Sequence, residues 1–279
     1  MERVIIPVNR KRDGVGRTIC SKVTFHGHGL HSGQPVQMSL IPARHPNGIS
    51  FRVTGSPAKI PARLSRLTFS DRTVRLADGE TVVTGVEHVL AAVGGLGICC
   101  LDIELSSGEV PGLDGSAQPF VCAMDGAGLM PCGGETQVVS GVSISIAGSD
   151  GMRIAIEATS MTDLEVFYSV DYSTFGGPTE AVKLRIDEGV FRRELAPART
   201  FAITGLDGRA LPGLDGPTLW TSTASTERRF PNELVRHKVL DLIGDLVLVG
   251  APVVGRVSVH RGGHALHHRL AQAIERWHS

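Results

Sequence analysis

The chain has 279 residues, 28 of them basic and 28 acidic, and 42% are hydrophobic. That is enough apolar material for a buried core and most naturally for two domains, and the balanced charge argues against a nucleic-acid binder, which carries a basic excess or patch. No apolar run approaches the length of a membrane span, and residues 1–19 hold charge where a signal peptide would hold an apolar stretch, so a cytoplasmic protein is expected.

Strand-like runs come first, including VQMSLIPA and GISFRVTG, followed by a helix bearing Glu87 and His88, a strand around Leu101–Leu105 and a second helix from about Ala117. The segment MPCGGET, Met130–Thr136, reads as a glycine and proline break. Beyond it, strands are predicted near Val142–Ile146, Met152–Ala158 and Leu164–Tyr172, then a helix within NELVRHKVLDLIGDL, a strand near Gly255–His260 and a last helix after His264. The order sheet, helix, strand, helix thus occurs twice. It predicts an α+β chain of two domains, 1–132 carrying Glu87 and His88, and 133–279 carrying His237, Asp241 and His264. The cysteines, Cys20, Cys99, Cys100, Cys122 and Cys132, are an odd set without ligand-like C-x-x-C spacing, so free thiols are expected rather than a disulfide framework.

Chemistry enters with His237 and Asp241, four apart in a strongly helical pattern, so that both side chains leave one face of the helix. That is half of a metal site, because a catalytic zinc takes three protein ligands and keeps a fourth position for water or substrate. Taken alone, a helical His-Asp pair is more often a surface hydrogen bond. A third ligand is available upstream in TGVEHVLAAVGGLG, where Glu87 beside His88 is placed to deprotonate a metal-activated water without being a ligand itself. Taken alone, that stretch reads more readily as helix N-terminal charge next to a satisfied core histidine. In HRGGHALHHRL the glycines can turn the backbone with positive φ and present His264 at the end of a strand as a catalytic acid. His267 and His268, on the helix that follows, are given no chemistry and read as exposed helix residues.

With other segments, these three resemble, in order, the zinc-dependent UDP-3-O-acyl-N-acetylglucosamine deacetylases of lipid A synthesis. The resemblance runs through FHGHGLHSGQPV, VEHVLAAVGGLGI, EVPGLDGSAQPFV, ARTF, VRHKVLDLIGDL and GGHALHHRL. It implies two similar two-layer α+β domains with the metal site between them. It implies His88, His237 and Asp241 as ligands of Zn2+ or Fe2+ and Glu87 as general base. His264 would be the protonated partner that stabilises the oxyanion and then protonates the leaving amine, with Asp245 orienting and charging it. Thr200 would contact the tetrahedral intermediate, and Lys238 and Phe201 would line the substrate site. A UDP-linked acylated amino sugar is the implied partner, with a monomeric enzyme.

The chain also departs from the family pattern. Between Phe201 and His237 the family carries a strand-helix-strand insertion walling a passage for the acyl chain. Here the interval repeats GLDG, is rich in glycine, proline and threonine, and lacks a clear amphipathic helix, so a shortened or rebuilt passage is expected. Cys99-Cys100 replaces an Asp-Asn pair, and Gly112 a bulky aliphatic residue. The expected reaction is removal of acetate from the 2-amino group of UDP-3-O-acyl-N-acetylglucosamine. The alternatives are a deacetylase of a related N-acetyl sugar with a different or no acyl chain, and a non-catalytic nucleotide-sugar-binding paralogue. Retention of a base, acid and metal set speaks against the last.

Overall fold

A computed structural model of the chain describes residues 10–43, 48–68, 73–202, 219–220 and 227–278. Its first half runs β1 (Arg10–Ile19), β2 (Val23–His28), β3 (Pro35–Pro42), β4 (Ile49–Val53), β5 (Ile60–Pro61), β6 (Leu67–Thr68), β7 (Arg75–Asp78), β8 (Thr81–Thr84), α1 (Glu87–Gly95), β9 (Leu101–Leu105), α2 (Gln118–Ala127) and β10 (Leu129–Val138). The second half runs β11 (Ile144–Ala147), β12 (Arg153–Glu157), β13 (Leu164–Asp171), β14 (Thr179–Ile186), the short α3 (Glu188–Val190), β15 (Phe201–Ala202), β16 (Leu219–Trp220), α4 (Glu233–Val247), β17 (Gly255–His260) and α5 (His264–His278). The fold is α+β in two sheet-rich halves, as the repeated pattern predicts.

The halves share one topology. The first sheet has the order β2-β3-β9-β4-β5 and the second β11-β12-β17-β13-β14. In each, the strand that follows the long helix enters the middle, antiparallel to one neighbour and parallel to the other: β9 between β3 and β4, β17 between β12 and β13. Alternation sets which face is buried; in β13, Val166, Tyr168 and Val170 point inward while Phe167 is exposed.

The long helices α1 and α4 pack directly on each other. Every residue of α1 from Glu87 to Val93 is buried, the signature of a helix covered on all sides. Close approach depends on glycine. A Cβ on Gly94 would meet Val247 at 2.7 Å, and one on Gly244 would meet the carbonyl oxygen of Glu87 at 2.2 Å.

One reading is corrected. MPCGGET is not a break between elements but the body of β10, which pairs antiparallel with β1, with irregular register between Lys11 and Arg17. In a two-stranded ribbon a proline and a positive-φ glycine, Gly133 at 81°, are absorbed as an irregularity instead of ending the strand. No described helix is long and apolar enough to cross a membrane.

Candidate metal centre and catalytic groups

Helix α1 presents His88 in its first turn, and α4 presents His237 and Asp241 one turn apart. Packing of the two helices brings the three together. Asp241 Oδ1 lies 3.4 Å from His237 Nε2 and 3.8 Å from His88 Nε2, with all three side chains buried. One donor atom from each of the three lies within 4.8 Å of the others.

The protonation states fit a cation. His237 Nδ1 lies 3.0 Å from the carbonyl oxygen of Ala198, which only accepts, so Nδ1 carries the proton and Nε2 offers its lone pair. Burial, then the neighbouring His237, pushes the His88 pKa down to about 3, and burial also lowers that of His237, so both rings are neutral. Burial opposes ionisation of Asp241, but the ammonium of Lys238 and the surrounding imidazoles outweigh it and hold the carboxylate ionised. Its two oxygens are divided: Oδ1 faces the imidazoles, while Oδ2 accepts from Lys238 Nζ at 2.9 Å and lies 3.9 Å from His264 Nε2. Two neutral nitrogens and one carboxylate oxygen are a donor set for a borderline divalent ion.

Glu87 is buried at the start of α1. It accepts from Thr73 Oγ1 at 2.8 Å and from the amide of Val74 at 3.0 Å, and burial raises its pKa above 4.5. His264 opens α5. The turn that presents it uses positive φ at Arg261, 53°, and not at the glycines. Burial would discharge His264, but Asp245, accepting from its Nδ1 at 2.8 Å, raises the pKa to about 9 and leaves Nε2–H turned toward Asp241.

His267 and His268 are not the exposed helix residues the sequence suggested. Asp245, fully buried, accepts from His267 Nδ1 at 2.7 Å and His268 Nε2 at 3.0 Å as well as from His264. With Nδ1 of His267 donating to a carboxylate, its Nε2 accepts from the Tyr168 hydroxyl at 2.9 Å. The signal was present: positions three and four beyond His264 lie on its own helical face.

The segment before the interval from 202 to 236 forms a wall of the site. Glu233, at the start of α4, accepts from the Arg199 side chain at 2.8 Å and from the amides of Arg199 and Arg229, and Thr200 N donates to Gly115 O at 2.7 Å. So anchored, Phe201 sets its ring 6.0 Å from that of His237 and 5.8 Å from that of Tyr172, with Lys238 Nζ 5.5 Å from its centroid. Tyr172 is a neighbour that sequence reasoning did not find. Of the interval that follows, β16 pairs in parallel with β15, and residues 203–218 and 221–226, on which the expected rebuilding of the passage falls, lie outside the described residues.

Beside the strand that leads into α1, Glu109 accepts from the amides of His31 at 2.7 Å and Ser32 at 3.2 Å, tying EVPGLDG to FHGHGLHSG. The model of the family described as UDP-3-O-acyl N-acetylglycosamine deacetylase matches residues 16–207 and 220–276. Proteins named UDP-3-O-acyl-N-acetylglucosamine deacetylase are similar over nearly the whole chain. That of Anaeromyxobacter dehalogenans is 35% identical over 92% of this chain and 86% of its own length. That of Chlamydia muridarum is 34% identical over 93% and 96%. That of Leptospira biflexa is 33% identical over 92% and 89%.

Proposed function

The chain belongs to the UDP-3-O-acyl N-acetylglycosamine deacetylase family, and on that premise we propose that it hydrolyses the 2-acetamido group of a UDP-3-O-acyl-N-acetylglucosamine, releasing acetate in lipid A synthesis. We assign one divalent ion, zinc or ferrous iron, to His88, His237 and Asp241. The observation that carries the reading is the convergence of these three donors from two helices, with Glu87 and His264 beside them.

The ion, when bound, supplies positive charge that polarises the amide carbonyl and acidifies water. The residues of the chain do the rest. Glu87, buried and hydrogen-bonded by Thr73 and Val74, takes the proton of the attacking water. His264, charged by Asp245, donates a hydrogen bond to the oxyanion and then its Nε2 proton to the departing nitrogen. Water and amide thereby become acetate and amine, and proton exchange with solvent restores Glu87 and His264. Thr200 contacts the tetrahedral carbon's oxygen, while Lys238 and Phe201 line the sugar site beside it. Asp245 also binds His267 and His268, which support it as positioning residues. We further assign the activity to a cytoplasmic monomer of two domains.

Purified protein given UDP-N-acetylglucosamine with and without a 3-O-acyl group tests the proposal. Acetate should be released from the acylated substrate, be lost on chelation and return with zinc or ferrous iron. No release from either substrate by metal-loaded protein would sink the reading; equal release from both would favour the related-sugar alternative.

A further inference from the structure

Away from the catalytic groups, three thiols from two parts of the chain meet. Cys99 and Cys100 lie between the C-terminal end of α1 and β9, and Cys132 comes from β10. Cys100 Sγ is 2.8 Å from Cys132 Sγ, and Cys99 Sγ is 3.5 Å from each of the other two. All three are free, and Cys100 and Cys132 are buried. The amides of Cys99 and Cys100 both donate to the carbonyl of Arg17, at 3.0 and 3.4 Å, which fixes the pair. Gly16 of β1 leaves the space: a Cβ there would come within 2.4 Å of Cys99 Sγ and 3.2 Å of Cys132 Sγ. Cys99, unlike Cys100 and Cys132, also lines a cavity of about 470 Å³ together with Arg17, Arg63, Leu96 and Glu188, so the cluster is approached on its Cys99 side.

We propose that Cys99, Cys100 and Cys132 form a thiolate site for a divalent soft cation of the zinc and cadmium class, distinct from the His88–His237–Asp241 centre. A disulfide would use two sulfurs and leave the third; a cation uses all three. Binding exchanges three S–H protons for three metal–sulfur bonds and leaves a net charge of −1. Monovalent copper would leave −2 in the same partly buried place, at a larger desolvation cost, which favours the divalent ion. Zinc–sulfur bonds of about 2.3 Å put sulfurs roughly 3.8 Å apart at a tetrahedral centre, so the triangle widens on binding, most at Cys100 and Cys132. The fourth position opens on the cavity side, where a water completes the set.

The test is a cadmium titration of the full-length protein in a phosphine reductant, read by ultraviolet thiolate-to-cadmium absorption, to which the imidazole and carboxylate ligands of the other centre do not contribute. The wild type should develop the band to an endpoint of one equivalent beyond that centre. Cys132→Ser and Cys99→Ser should each lose most of it with an unchanged far-ultraviolet dichroism spectrum. Cys20→Ser/Cys122→Ser and His237→Ala should keep it. Absence of the band in the wild type, or its persistence in both single-serine variants, overturns the proposal. So does a protein that only loses two mass units on air oxidation and takes up no cadmium when reduced.

Discussion

The backbone of Gly244 rests on the carbonyl of Glu87: a Cβ there would lie 2.2 Å from that oxygen and 3.3 Å from the amide nitrogen of Ala91. The contact sets the distance between α1, which carries His88, and α4, which carries His237 and Asp241. Gly244→Ala must push the helices apart and is expected to cost about 1–3 kcal/mol, as overpacking of a core does, and to weaken metal retention along with it. Gly126→Ala is the control, since that exposed helical glycine has nothing within 4 Å of an added Cβ, and should be neutral or stabilising by up to about 1 kcal/mol. Urea unfolding and metal analysis of the two variants separate the effects; equal behaviour would remove Gly244 from the argument.

Metal content provides the second prediction. Wild type should hold about one equivalent at the histidine–aspartate centre, and His237→Ala about one fewer, because the variant removes a neutral Nε2 donor already oriented by Ala198. Elemental analysis after mild purification measures this. Wild type that takes up no metal on titration would show the ligand assignment to be mistaken.

Glu87→Gln should keep the metal and lose about a hundredfold or more in kcat, since an amide cannot accept the water's proton. The wild-type profile should be bell-shaped. Activity rises as Glu87, whose pKa lies above its ordinary 4.5, loses its proton, and falls as His264, held at about 9, loses its own. A variant with near-normal kcat would assign the base elsewhere, His264 first.

Asp245→Asn tests the charge on His264. Without the carboxylate, His264 should fall back toward its ordinary 6.5, so the alkaline limb of the rate profile moves to lower pH. Stability follows the same sign: the contribution of the pair is fully present below pH 6.5 and is lost as pH rises through about 9. Tyr168→Phe leaves His267 Nε2 without its donor, should cost about 1–3 kcal/mol, and should leave the alkaline limb in place. An unmoved limb in Asp245→Asn would show that another group titrates there.

What was legible in the sequence was what short-range pattern controls. Alternation and bounding turns located Leu101–Leu105 and Gly255–His260 as strands, and helical spacing put His237 and Asp241 on one face. MPCGGET was misread because glycine and proline stop a strand inside a sheet but not in the irregular ribbon that β10 forms with β1, a partner more than a hundred residues away. The triple load on Asp245 was hidden for a related reason: the spacing of His264, His267 and His268 gives a face, but only the packing of α5 on α4 says what that face meets. The Cys99, Cys100 and Cys132 cluster has no local spacing at all, since tertiary pairing brings its third sulfur to the other two.

Because His88 belongs to one half of the molecule and His237 and Asp241 to the other, an ion bound by all three ties together the two packed helices α1 and α4 at the point where His88 meets His237 and Asp241. Any species that binds the folded state alone stabilises it by mass action, about 2.7 kcal/mol at a hundred times its dissociation constant. The melting temperature should therefore climb with free metal concentration, and a chelator should loosen the seam between α1 and α4 before it loosens either sheet. Amide exchange would register that order as early opening at Val89–Val93 while β9 and β17 remain closed.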